Sequence, residues 1–192
     1  MKKLVLGLRI KRFRGFIMNR VGVEAWLKEY EVVNYTLNED LSVDVEGDVD
    51  ISFKDLSVIP VSFRFVSGYF SCGYNGLSTL VGCPIKVGAA FFCHSNALTS
   101  LDGCPVSVGV FNCSGNKLVS LLGCPSEVGG DFYCYGNNLT SLAGCPISVG
   151  GVDLSCKGLK GVLPVRFGNV AGYFNCSQNE LLSLNGCPDY VG

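Results

Sequence analysis

One phrase recurs along this chain and leaves it few folds to choose from. As a pattern it reads F-x-C-x-x-N-x-L-x-x-L-x-G-C-P-x-x-V, complete at 70–87, 91–108, 111–128, 132–149 and 174–191. The first cysteines of the first four copies, Cys72, Cys93, Cys113 and Cys134, are spaced by 21, 20 and 21 residues. Two degenerate copies complete the array, "VDISFKDLSVIPVSFRFV" before the first complete copy and "VDLSCKGLKGVLPVRFGNV" between the fourth and fifth. Seven units therefore span 48–192. A unit of this length buries its apolar face only against its neighbours, which predicts a solenoid.

Within a unit, period-two alternation sends Phe132 and Cys134 inward and Tyr133 outward from a short strand. Asn137 follows where the chain must leave the strand sharply. Its amide can satisfy backbone groups there, so stacked units should form a buried ladder. Leu139 and Leu142 turn back inside, and Gly-Cys-Pro marks the return on the far side, where proline ends any helix. These details fit the leucine-rich repeat: short parallel strands on a concave face, with an extended, turn-rich convex side.

The cysteines are the obvious chemical candidates. All eleven fall in repeat register: Cys72, Cys93, Cys113, Cys134, Cys156 and Cys176 in the strand, five more in Gly-Cys-Pro. Free cysteine is among the most buried residue types and fills space as a small hydrophobe. No C-x-x-C occurs, and His94 is the one histidine, so zinc-ligand spacing is absent. The odd count and the unsecreted character of the start point to a reducing cytosol rather than a disulfide framework. Packing is the expected role, with no metal and no cofactor.

Catalysis is not expected either. His94 and Cys93 are adjacent on a strand and point to opposite faces, so they form no dyad. Asp131 and Asp153 could sit roughly 5 Å apart on neighbouring strands, but a solvated acidic face is the simpler reading. The recurring glycines lack the lysine of a phosphate-binding loop.

Charge is uneven. Residues 1–17 hold six Lys/Arg and no acid; the rest holds nine against sixteen acids, a formal −7. The start is a poor secretory signal, because its apolar stretch "LVLGL" is short and "RIKRFR" follows it. It is read as a poorly ordered basic extension ahead of Met18, with a nucleic-acid or membrane-surface arm as the alternative. Residues 18–47 read as a cap. Asn19 is the N-cap of a helix whose apolar face is Val23, Trp26, Leu27 and Tyr30. A hairpin follows, with Val33, Tyr35 and Leu37 against Leu41, Val43 and Val45. No apolar run is long enough to span a membrane.

The phrases "VGGDFYCYGNNLTSLAGCP" and "LPVRFGNV", and the leader "VEAWLKEYEVVNYTLNEDLSVDVEGDVDIS", resemble a family of small leucine-rich-repeat proteins encoded mainly by bacteriophages and their bacterial relatives. The short repeat also resembles that of bacterial effector proteins, although no ligase domain fits here. The resemblance implies a leucine-rich-repeat fold throughout 18–192 and a phage origin.

A binding site for such a scaffold lies on the outward strand positions. Aligned on the repeat, the column before the inward aromatic is Asp50, Tyr69, Ala90, Val110, Asp131, Asp153 and Tyr173. The columns after it run Ser52, Ser71, Phe92, Asn112, Tyr133, Ser155, Asn175, then Lys54, Gly73, His94, Ser114, Tyr135, Lys157, Ser177. The expected partner-binding residues are Tyr69, Tyr74, Phe92, His94, Asp131, Tyr133, Tyr135, Asp153 and Tyr173, because clustered aromatics suit a protein hot spot. The expected function is a non-enzymatic module that blocks a host defence or housekeeping protein in the bacterial cytoplasm. The alternatives are a DNA mimic or nucleic-acid-linked blocker of a nuclease, and a structural virion or tail component. No cap is visible at the C-terminal end, so Phe174, Cys176, Leu181, Leu184 and Tyr190 form an open edge suited to self-association. Residues 189–192 folding back over it, or a truncation relative to a longer relative, are the alternatives.

Overall fold

The computed structural model describes residues 18–146, 149–156, 158–163, 167–168 and 170–192; the basic extension 1–17 and Lys157 lie outside the described residues. Helix α1 (Arg20–Glu29) opens the fold, its first turn closed by the Asn19 carboxamide, which accepts from the Gly22 N–H at 2.9 Å. Strands β1 (Tyr35–Leu37) and β2 (Ser42–Val45) pair antiparallel as the expected hairpin. The solenoid strands follow: β3 (Val49–Asp50), β4 (Ser62–Val66), β5 (Phe70–Ser71), β6 (Lys86–Val87), β7 (Ala90–Phe92), β8 (Ser107–Val108), β9 (Val110–Asn112) and β10 (Glu127–Val128). The remainder are β11 (Phe132–Tyr133), β12 (Val152–Asp153), β13 (Lys160–Gly161), β14 (Phe174–Asn175) and β15 (Glu180–Leu181).

The seven strands β3, β5, β7, β9, β11, β12 and β14 form one parallel sheet in sequence order. The chain is thus a parallel solenoid of the leucine-rich-repeat kind, with one short helix, α1, among the described residues. The convex side is more regular than a run of turns. There β2, β4 and β6 pair in parallel, as do β8 and β10, and stack the final valines of the repeat, Val45 on Val66 on Val87. Strand β2 therefore serves twice, as half of the capping hairpin and as the first rung of the second sheet.

Between the sheets lies a column of rings. Phe70, Phe91, Phe111 and Phe132 stack at centroid spacings of 5.9, 6.0 and 5.7 Å. Phe63 meets Phe70 edge-on at 5.2 Å, and Trp26 meets Phe63 at 6.2 Å, so the cap closes directly onto the ladder. Beside the rings stand the buried thiols Cys72, Cys93, Cys113 and Cys134.

The asparagine ladder forms as the sequence requires. Each Asn bridges two units: its Nδ2 donates to the cysteine carbonyl of its own strand and to the equivalent carbonyl before it, and its Oδ1 accepts from a leucine N–H. For Asn137 the partners are Cys134 O (2.9 Å), Cys113 O (3.0 Å) and Leu118 N (3.1 Å). Asn75, Asn96, Asn116 and Asn179 repeat the arrangement.

The two degenerate units are shifted from the alignment by two residues. Val49 pairs with Phe70, and Val152 with both Phe132 and Phe174, so Ile51 and Leu154 occupy the cysteine column. The exchange keeps layer volume nearly constant, since Phe with Cys is replaced by Val with Ile or Leu, and close-packed cores tolerate such swaps. A shift of two also preserves which side chains face inward. Cys156 consequently leaves the strand column. Its thiol donates to Cys134 O at 3.1 Å, at the carbonyl an asparagine would otherwise serve.

Candidate partner-binding face

The corrected register redraws the concave face. Its middle column is Asp50, Ser71, Phe92, Asn112, Tyr133, Asp153 and Asn175. Asp153 thus stands beside Tyr133, and the strand position opposite Asp131 is Gly151, so the two carboxylates are diagonal rather than side by side. Strand spacing and a two-residue rise put their Cα atoms about 8 Å apart. Lys54 moves out of the face and into the asparagine column, where its N–H donates to Asn75 Oδ1 at 3.0 Å.

The expected aromatic centre is two groups, separated by Val110, Asn112 and Ser114. In the first, His94 meets Tyr74 edge-on at 5.0 Å and Phe92 at 6.4 Å, while Tyr69 and Phe92 lie 6.2 Å apart. The structure adds Phe53, which the unshifted alignment placed inside. It is 71% exposed and stacks on Tyr74 at 4.3 Å with ring planes 11° apart. Both residues have left-handed backbone, φ 54° and 52°, at the place where later units carry Gly115 and Gly136. That turn sends their side chains out to the rim. Counting back from Leu56, the counterpart of Leu77, would have found Phe53.

Gly73 makes room for the histidine. A Cβ there would lie 2.7 Å from His94 Cε1, so the ring rests directly on the glycine backbone. Burial lowers the pKa of His94, which holds it neutral at physiological pH, and its Nδ1 is enclosed without a hydrogen-bond partner among the described residues.

The second group joins Asp131, Tyr133, Asp153 and Tyr173. The Tyr133 hydroxyl donates to Asp131 Oδ2 at 3.1 Å, and the Tyr133 and Tyr173 rings lie 6.1 Å apart. Asp131 and Tyr173 close over Gly151, where an added Cβ would stand 2.8 Å from Asp131 Oδ1 and from Tyr173 Cε1. Burial pushes the Tyr173 hydroxyl up, assisted by its hydrogen bond with Tyr133 and by the charges of Tyr133, Asp131 and Asp153. Tyr135, exposed on the same strand side, stands beyond Tyr133.

The thiols lie on the other side of the strands. Burial raises Cys93, Cys113 and Cys134 well above the ordinary thiol range, so they are protonated at neutral pH and poor nucleophiles. In the Gly-Cys-Pro column burial raises Cys145 to about 12 and Cys187 to about 11. Among the described residues no group of three or more His, Cys, Asp or Glu is placed to hold a metal ion.

At the far end β14 borders the concave sheet. Leu184 and Tyr190 are exposed there, while Phe174, Cys176 and Leu181 are half-buried. Val191 does not fold over this strand: it forms an isolated parallel bridge with Val170, and the Gly192 N–H donates to Val170 O at 3.1 Å. Comparison with family models, curated proteins and solved structures finds no match for the chain.

Proposed function

We propose that this chain is a non-enzymatic protein-binding module that docks a partner on its concave sheet. The observation that supports it is the ring run Phe53–Tyr74–His94–Phe92, exposed at Phe53 and Tyr74 and half-buried at His94 and Phe92, with ring contacts of 4.3, 5.0 and 6.4 Å. It is mounted on a sheet pinned by the asparagine ladder. Rigid aromatics give contact area at low entropic cost, which is the usual make-up of a hot spot. The resemblance of the repeat and leader to phage-encoded leucine-rich-repeat proteins extends the proposal to a phage-encoded inhibitor of a host defence or housekeeping protein, acting in the bacterial cytosol. Among the described residues no helix is long and apolar enough to cross a membrane.

The test begins with the tagged chain as bait in a bacterial host extract at moderate salt. The affinity of the purified pair is then measured with Phe53→Ala/Tyr74→Ala. The proposal expects about a tenfold or greater loss; an unchanged affinity refutes it. A second reading, mimicry of DNA toward a nuclease, is favoured by the aspartates on the same face. It expects affinity to fall steeply between low and moderate salt, whereas aromatic docking does not.

A further inference from the structure

The concave face is chemically one-sided. Its outward strand positions carry Asp48, Asp50, Asp131 and Asp153 and, among the described residues, not one Lys or Arg. Two of these aspartates belong to the group built around Tyr133 and Tyr173, and both have unused acceptor capacity. Among the described residues Asp131 receives the Tyr133 hydroxyl on Oδ2 and no donor on Oδ1. Among the same residues Asp153 receives the Ser155 N–H and hydroxyl on Oδ1, at 3.0 and 2.6 Å, and no donor on Oδ2. Among the described residues neither is in an ion pair; the ion pairs present are Arg20–Glu24, Arg64–Asp44 and Lys160–Glu180.

Resting on the reading of this face as a docking surface, we propose that Asp131, Tyr133, Asp153 and Tyr173 receive an arginine side chain of the partner protein. The complementarity is specific to a planar cation. Two carboxylates borne on Cα atoms about 8 Å apart flank a pair of tyrosine rings, and a guanidinium can lie on a ring face while its N–H fork reaches oxygens on both sides. A lysine ammonium, a compact point charge, satisfies fewer of these contacts at once. Pre-organisation comes from the fold: Gly151 lets Asp131 and Tyr173 close together, and Ser155 fixes Asp153. The docking surface of the partner is therefore basic where it meets β11, β12 and β14, and apolar where it meets Phe53 and Tyr74.

The experiment titrates the full chain, at physiological salt, with a blocked tetra-arginine peptide and its tetra-lysine counterpart. The variants are Asp131→Asn/Asp153→Asn and, as an equal charge change elsewhere on the face, Asp48→Asn/Asp50→Asn. Unchanged circular dichroism and melting establish that each variant is folded. The proposal expects tetra-arginine to bind more tightly than tetra-lysine. It expects about a tenfold loss for the first double variant and less than about twofold for the second. Equal losses in the two variants, no loss in either, or equal affinity for the two peptides overturn it. Failure here is distinct from failure of the docking proposal. A partner weakened by Phe53→Ala/Tyr74→Ala but indifferent to Asp131→Asn/Asp153→Asn keeps the face and removes the arginine site.

Discussion

Replacing Asn137 by alanine tests the physical basis of the scaffold. The side chain is 3% exposed and makes three hydrogen bonds: two donated, to Cys134 O and Cys113 O, and one accepted, from Leu118 N. Not all of these losses are equal. Cys113 O keeps the Asn116 amide at 2.9 Å, and Cys134 O keeps the Cys156 thiol at 3.1 Å. The Leu118 N–H loses its acceptor inside the protein. An orphaned buried donor costs about 1–3 kcal/mol and each of the two other bonds contributes about 1 kcal/mol net, so the expected loss is about 3–5 kcal/mol. Urea unfolding followed by circular dichroism gives the value, with the exposed neighbour Asn138→Ala as the control, expected within about 0.5 kcal/mol of the parent. Asn137→Asp sharpens the test. Aspartate keeps an acceptor for Leu118 but at neutral pH aims negative charge at two carbonyls, so it should cost more than alanine. A loss below about 1 kcal/mol for alanine, or an aspartate variant more stable than the alanine one, would refute the ladder argument.

The ladder, the ring column and the cap were legible in the sequence because each follows from side-chain period and from residue chemistry. Phe132, Cys134, Asn137 and Leu139 do in the structure what their spacing demands. The hairpin from Tyr35 to Val45 and the Asn19 cap also follow from local rules. Register in the degenerate units was not legible from strand alternation, because a two-residue slip leaves the same faces buried. The signal that separates Val49 from Ile51 as the partner of Phe70 lies outside the strand, in the distance back from Leu56. That one ambiguity hid Phe53, misplaced Lys54 and Cys156, and set Asp153 against Asp131 instead of Tyr133. The division of the aromatics into two groups was likewise invisible, because it depends on which side chains meet across strands.

Two further predictions concern stability. Burial raises the pKa of Cys83, Cys93, Cys113 and Cys134, and Cys145 to about 12. The unfolded chain then releases thiol protons at lower pH than the folded chain. Stability is therefore fully present below the ordinary thiol pKa of 9.0 and should fall as pH rises from there toward 12, as urea midpoints at stepped pH would reveal; a flat profile would contradict the buried thiols. Gly136 has φ +66°, so Gly136→Ala should lower stability by about 1 kcal/mol through backbone strain, and an unchanged thermal melt would show that the turn relaxes.

Docking on the concave sheet is the proposal on which the other functional predictions depend. Hydroxyl-radical footprinting of the chain with and without its captured partner tests it on single side chains. Phe53, Tyr74, Tyr133 and Tyr173 should lose reactivity several-fold in the complex, while the convex Val81, Val106 and Leu122, all well exposed, stay unchanged. Protection of the convex residues with the concave aromatics still reactive would place the partner on the opposite side of the solenoid and contradict concave docking.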